Sequence, residues 1–264
     1  MSDNCIPKII HYCWFGGNPL PELAQKCIES WKKYCPDYEI KRWDETNFDL
    51  DCCDYVREAY QEKKWAFVSD YARFKILYEN GGVYFDTDVE LIKSIDDIVE
   101  NGAFMGLEES SEVSVATGLG LAANIGTPLF KEILDNYHHS HFEKGENGSY
   151  ETVVTRVTNI ALKHGDIQPD EISYVAGIRI YPSEYFCPLD FYTGKMTITN
   201  NTRSIHHYTA SWYNKTQKRI LSIKRRFVNH PRLAKLLIAL LHGIDIIQSY
   251  GIREFVKRLS KKIR

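Results

Sequence analysis

No stretch of this chain approaches the roughly 20 consecutive apolar residues of a membrane span. Met1 to Ile10 likewise shows no cationic start followed by an apolar run of signal-peptide length. A cytoplasmic protein is the expectation. C-x-x-C spacings are also missing: the seven cysteines (Cys5, Cys13, Cys27, Cys35, Cys52, Cys53 and Cys187) are odd in number and include an adjacent pair. They read as reduced, mostly buried thiols rather than as a zinc site. There is no internal repeat and no low-complexity segment.

Positive charge is scarce everywhere but at the end. The formal net charge is −2, yet from Lys215 onward fourteen basic residues face two acidic ones, while residues 1 to 214 hold 19 basic and 33 acidic groups. A nucleic-acid binder would carry its positive charge across a recognition face. An acidic body with a basic extension reads instead as a catalytic domain, residues 1–214, followed by a surface-seeking helical tail, residues 215–264. At 264 residues and 44% hydrophobic, the chain can bury a full core. The 13% aromatic content serves such a core and also offers rings that stack on sugars and bases.

Lys8 to Tyr12 reads as a buried strand followed by a Gly16-Gly17-Asn18-Pro19 turn. Glu22 to Tyr34 sets Leu23, Cys27, Trp31 and Tyr34 on one helical stripe, and Tyr38 to Trp43 is a second strand. A β-α-β opening of this kind implies parallel strands with ligands bound beyond their carboxyl ends. Trp14 and Phe15 fall at such an end. Trp65 to Asn80 is helical in pattern and stopped by Gly81; further strands are expected at Ala103 to Leu107 and Ile178 to Tyr181, and helices around Pro128 to His139 and Glu151 to Lys163.

Tyr84-Phe85-Asp86-Thr87-Asp88 carries the chemistry. Read as the end of a short apolar strand, it places the Asp86 and Asp88 carboxylates on one side. Hard oxygen ligands suit Mg²⁺ or Mn²⁺, and such an ion shares few protein carboxylates with a substrate's phosphates. The implied ligand is a nucleoside diphosphate. Asp49-Leu50-Asp51 has the same spacing but lies in a polar, cysteine-containing stretch and reads as a solvated loop. Asp70 and Arg73, three residues apart, form a surface pair on one reading and border the cleft on the other. In Ser204 to Trp212, one imidazole of His206-His207 is a candidate third metal ligand, and Trp212 a cap for the pocket.

Together, Pro7-Lys8-Ile9-Ile10-His11, Trp14-Phe15-Gly16-Gly17, Ser69-Asp70-Tyr71-Ala72-Arg73, Tyr78 through Asp88, His206-His207 and Ser211-Trp212 resemble a known family. It is that of the retaining glycosyltransferases with a DXD-containing sugar-binding region. Members include bacterial capsular polysaccharide enzymes and the yeast initiating α-mannosyltransferase, with the clostridial glucosylating toxins as distant relatives. The resemblance implies a GT-A fold, a mixed and mostly parallel sheet between helices. It also implies roles: Trp14 stacks on the base, Asp70 and Arg73 hold the donor sugar, Asp86 touches ribose and sugar hydroxyls, and Asp88 is the firmest metal ligand. His207 completes the metal shell, with His206 as alternate.

The expected function is metal-dependent transfer of a hexose from a nucleotide sugar, UDP-hexose ahead of GDP-mannose, to a glycan acceptor in cell-surface polysaccharide synthesis. Rival readings are a nucleotide-sugar hydrolase or phosphoesterase, and a non-catalytic sugar-binding protein. In the tail, Ile220, Ile223 and Phe227, then Leu233, Leu236, Leu237, Leu240, Leu241 and Ile244, form stripes flanked by cations. The tail reads either as helices packed on the body or as a peripheral anchor on an anionic membrane face.

Overall fold

The computed structural model describes residues 5–108, 113–146, 148–191, 193–209 and 215–250. The β-α-β opening is present: β1 (Ile9–Cys13), α1 (Glu22–Tyr34) and β2 (Glu39–Trp43), with β1 and β2 parallel and in register from Ile9 opposite Glu39. The expected solvated loop around Asp49 leads straight into a helix, α2 (Asp54–Gln61), whose Tyr55, Val56 and Ala59 are buried. Next come α3 (Trp65–Asn80) and β3 (Gly82–Tyr84), then β4 (Val89–Leu91), α4 (Asp96–Val99), β5 (Phe104–Leu107) and β6 (Val115–Ala123). The remainder comprises α5 (Pro128–His138), α6 (Val153–Ala161), β7 (Ser173–Val175), β8 (Ile178–Tyr181), α7 (Ser183–Phe186), β9 (Ser204–His206), α8 (Lys215–Arg226) and α9 (Pro231–Tyr250).

Seven strands form one sheet in the order β2-β1-β3-β6-β5-β8-β7. β2, β1 and β3 run parallel, as do β5 and β8, whereas β6 is antiparallel to both its neighbours and β7 to β8. The mixed sheet flanked by helices that the resemblance implies is therefore present, with three parallel and three antiparallel pairings rather than a mostly parallel set. One core joins Tyr84 and Leu121 to apolar residues of α2, α3, α5 and α6; a second joins Ile10, Val83 and Ala122 to α1, α4 and α7. Successive residues of a strand point to opposite faces, so Val83 and Tyr84 serve different cores.

The turn from α3 into β3 is made by two glycines with positive φ, Gly81 at 64° and Gly82 at 100°. Gly81 N–H closes α3 on the Leu77 carbonyl at 2.8 Å. A Cβ on Gly82 would stand 2.7 Å from the Ile9 carbonyl oxygen, so β3 can lie this close to β1 only with glycine there. His11, buried in β1, bonds the Gly81 carbonyl through Nε2 at 3.0 Å and accepts from Trp43 Nε1–H on Nδ1 at 3.0 Å.

The chain divides into two compact units, one of residues 1–189 with 196–209, the other of 190–195 with the residues after 209. The second unit thus takes in a short segment that the sequence places in the body. Within it, Arg225 Nε donates to the Phe191 carbonyl at 3.0 Å.

Candidate active site

The carboxyl ends of β1 and β3, the start of β6 and the end of β5 lie along one edge of the sheet, as their pairing requires. The Asp-x-Asp pair sits there, but not on a strand. β3 ends at Tyr84, and the Val89 N–H bonds back to the Asp86 carbonyl at 3.1 Å, so Asp86 and Asp88 belong to a tight turn between β3 and β4. Their convergence comes from this turn rather than from strand alternation, which corrects the reading from sequence.

Behind Asp86 lies Arg73, 3% exposed. Of the two readings of Asp70 and Arg73, the surface pair fails and the pair beside the Asp-x-Asp turn is found: Arg73 Nη2 contacts Asp70 Oδ1 at 2.9 Å and Asp86 Oδ1 at 3.1 Å. Nη1 donates to Thr117 Oγ1 at 2.9 Å and Nε to the Ser69 carbonyl at 3.2 Å. Four polar partners nearly exhaust a guanidinium with five N–H groups. Arg73 is thus placed to fix the two aspartates, and its capacity to grip a sugar directly is small. Tyr84 O–H adds a bond to Asp86 Oδ1 at 3.0 Å.

Asp88 is held from the other side by β9, which pairs with β4. His206 Nε2 is 3.2 Å from Asp88 Oδ1, and Thr209 donates to Oδ2 through both its N–H and its hydroxyl, each at 2.8 Å. Burial alone would push the Asp88 carboxyl up, but the imidazole and the Thr209 donors together outweigh it and hold the group well below the usual carboxylate range. For His206 burial acts downward, and the fields of Asp88, Asp86 and Glu108 reverse it. Asp70 is the opposite case: burial raises it to about 7 despite Arg73 beside it.

Ligand atoms of Asp86, Asp88 and His206 lie within 4.8 Å of one another, and among the described residues no other group of three His, Cys, Asp or Glu meets that test. His206 Nδ1 is buried without a hydrogen-bond partner. Two hard carboxylates and one imidazole suit a Mn²⁺- or Mg²⁺-like ion. His207, the first choice from sequence, is elsewhere: its Nε2 meets Glu90 at 2.8 Å. Neighbours on a strand end face opposite ways, and the pairing of Val89 with His206 selects the alternate.

Trp14 follows β1, half-buried, with its indole N–H donated to the Asn18 carbonyl at 2.6 Å. Trp212 lies outside the described residues. Sequence reasoning assigned no role to Thr117, Gly118, Tyr84 or Thr209. For Gly118 the relation is close: its carbonyl accepts from the Asp86 N–H at 3.1 Å, and a Cβ there would come within 2.1 Å of Asp86 Oδ2. The available signal was the small-residue run Thr117-Gly118-Leu119-Gly120, but nothing local ties it to Asp86.

The family model described as the glycosyltransferase sugar-binding region containing DXD motif matches residues 21–105, a span that includes Asp70, Arg73, Asp86 and Asp88. The chain is also similar to curated proteins. The chain is 32% identical over 139 residues to inositol phosphoceramide mannosyltransferase 3 of Schizosaccharomyces pombe, covering 50% of this chain and 37% of the relative. It is 26% identical over 152 residues to mannosyltransferase 1 of the same series and organism, covering 53% and 46%. The chain therefore spans less than half the length of these relatives. Among solved structures, the PaToxG glycosyltransferase superposes with a TM-score of 0.47 at 19% identity, covering 60% of this chain and 69% of that one.

Proposed function

We propose that the protein is a metal-dependent glycosyltransferase that moves a hexose from a nucleoside diphosphate to a glycan acceptor. The observation that carries this reading is the convergence of Asp86, Asp88 and His206 at the carboxyl edge of the sheet, with Arg73 buried behind them. A divalent cation held by these three groups would offset the charge of the departing diphosphate as its bond to the sugar breaks. Asp70, Arg73 and Tyr84 keep Asp86 in place, Thr209 keeps Asp88 in place, and Trp14 offers a face to the base.

We read the transfer as retaining on the resemblance to the family, with no enzyme nucleophile named. UDP-hexose is the donor favoured by that resemblance, with GDP-mannose as the alternative kept in the test. Cell-surface polysaccharide synthesis is the corresponding role. A two-metal phosphoesterase would want more clustered carboxylates and histidines than the one triad found among the described residues.

Peripheral attachment to an anionic membrane surface belongs to the same proposal. It is supported by the exposed leucine stripe of α9 and the cations around it. No helix among the described residues is long and apolar enough to cross a membrane.

The test is calorimetry of UDP, GDP and their hexose conjugates with Mn²⁺ or with EDTA, using Asp88→Ala as control. Metal-dependent binding of one nucleotide, lost in the variant, is the expected result. Absence of binding under every condition would move the protein to the non-catalytic class.

A further inference from the structure

β9 ends at His206, and the residues from there to Thr209 close around Asp88. His206 Nε2 stands 3.2 Å from Asp88 Oδ1, and the His207 N–H donates to the Asp88 carbonyl at 2.9 Å. Thr209 donates to Asp88 Oδ2 through its N–H and its hydroxyl, each at 2.8 Å. The chain itself thus holds both carboxylate oxygens.

A continued strand could not make this clasp. Successive residues of an extended chain point to alternate sides. Thr209 would then fall with His207, whose side chain meets Glu90 at 2.8 Å, and not with His206. The alternation is broken at Tyr208, which takes a left-handed backbone with φ 51°. In a residue other than glycine that conformation costs energy that surrounding contacts must offset. Glycine would meet the backbone requirement without that cost, so a tyrosine in this place calls for a role of its ring.

The Tyr208 hydroxyl lies 2.8 Å from Cys187 Sγ, just past the end of α7. Its ring centroid is 4.2 Å from that of His206, with the planes at 47°. A metal-binding imidazole is ordinarily oriented by a hydrogen bond on its second nitrogen. Here Nε2 faces Asp88, and Nδ1 is buried without a hydrogen-bond partner. Among the described residues, no hydrogen bond from outside the triad therefore sets the plane of the imidazole, and the Tyr208 ring lies against it.

We propose that Tyr208 is a positioning residue of the metal site. Its ring sets the plane of the His206 imidazole, and its left-handed backbone returns Thr209 to Asp88, so that the two ligands are aimed together. This inference rests on the metal-dependent reading of the site and concerns how the site is built.

Full-length protein, Tyr208→Phe, Tyr208→Gly and Tyr208→Ala are titrated with Mn²⁺, alone and with UDP or GDP. Uptake is read from the loss of the free-ion electron paramagnetic resonance signal, and thermal melts in EDTA report folding separately. Tyr208→Gly is at ease with a positive φ but lacks the ring. It should weaken Mn²⁺ binding by about 10-fold or more, the scale of losing a group that orients a metal ligand. Tyr208→Phe keeps the ring and gives up only a weak bond to sulfur, so it should stay within about 3-fold. Tyr208→Ala lacks the ring and meets the backbone strain as well, so it should bind more weakly than Tyr208→Gly.

Wild-type Mn²⁺ affinity in Tyr208→Gly, measured well below its melting temperature, overturns the inference and leaves the ring a packing role alone. Equal losses in Tyr208→Phe and Tyr208→Gly overturn it too, because the hydroxyl would then be the part that matters. A loss in Tyr208→Ala no greater than in Tyr208→Gly overturns the backbone half. Wild-type protein that takes up no Mn²⁺, with or without nucleotide, overturns the metal-dependent function as well, and shows it before any variant is made.

Discussion

Asp70 is a carboxyl that burial raises to about 7 although Arg73 Nη2 stands 2.9 Å away. Its protonated form is the one the fold prefers, so folding takes up a proton at pH values between the unfolded value near 4 and the folded one. The associated stability is fully present below the unfolded value and is lost as pH rises through about 7. Asp70→Asn mimics the neutral form at every pH. Relative to that variant, wild-type protein should lose about 1–4 kcal/mol between pH 5 and pH 8, at about 1.4 kcal/mol per pKa unit. Urea denaturation at the two pH values measures it, and a pH-independent difference between the two proteins contradicts it. The two histidines give a second residue-level expectation. His206→Ala should weaken Mn²⁺ binding by 10-fold or more, because the triad loses a ligand, whereas His207→Ala, removed from the triad, should stay within about 3-fold. Equal losses would mean that metal binding reorganises β9.

At the scale of elements, β6 explains both what the sequence revealed and what it hid. The helices with apolar stripes, α1, α3 and α5, were legible to within a residue or two, as were β1, β2, β5 and β8. β6 was not, although it is the central strand of the sheet and fully buried along Val115–Ala123. Five of its nine residues are Gly or Ala, which are depleted in strands, and with Thr117 its one polar residue it shows no apolar–polar alternation. Small residues are there because the Asp86 carboxylate lies against Gly118, and Phe85 against Gly120. That pressure comes from a partner more than thirty residues earlier, so no local pattern reports it. Asp70, Arg73, Asp86 and Asp88 were readable because they lie on one continuous stretch of chain, from α3 through β3 into the turn that follows it. The choice of His206 over His207 depends on strand register, which a short strand does not announce. Gly118→Ala tests the arrangement. A Cβ placed 2.1 Å from Asp86 Oδ2 forces the carboxylate to move, so metal-dependent nucleotide affinity should fall by 10-fold or more. The stability cost should be about 1–3 kcal/mol, the usual range for overpacking. Calorimetry and a thermal melt separate the two effects; unchanged affinity would show that the turn carrying Asp86 adjusts freely.

For the molecule as a whole, the uneven charge acquires meaning from α9. Leu233, Leu236, Leu240 and Ile244 recur at helical spacing and remain 42%, 57%, 56% and 52% exposed, whereas a helix spent on packing would hide such a stripe. In the sequence from Lys215 onward, fourteen basic residues stand against two acidic ones, while the rest of the chain is acidic. A bilayer surface carrying anionic lipid answers both features: the leucines enter the boundary of the acyl region and the cations meet headgroups. A neutral surface answers only the first. Replacing Leu236 and Leu240 with Ser in the full-length protein should therefore reduce co-sedimentation with vesicles of phosphatidylserine and phosphatidylcholine by several-fold. Wild-type binding to the same vesicles should weaken as salt is raised, since a Debye length of about 10 Å at 0.1 M shortens to about 3 Å at 1 M. Metal-dependent nucleotide binding should be unaltered by the two substitutions, because neither residue belongs to the unit that holds Asp86, Asp88 and His206. Vesicle binding that is insensitive to both the serines and the salt would leave α9 without a role at a membrane, and its leucines would have to be explained by a protein partner.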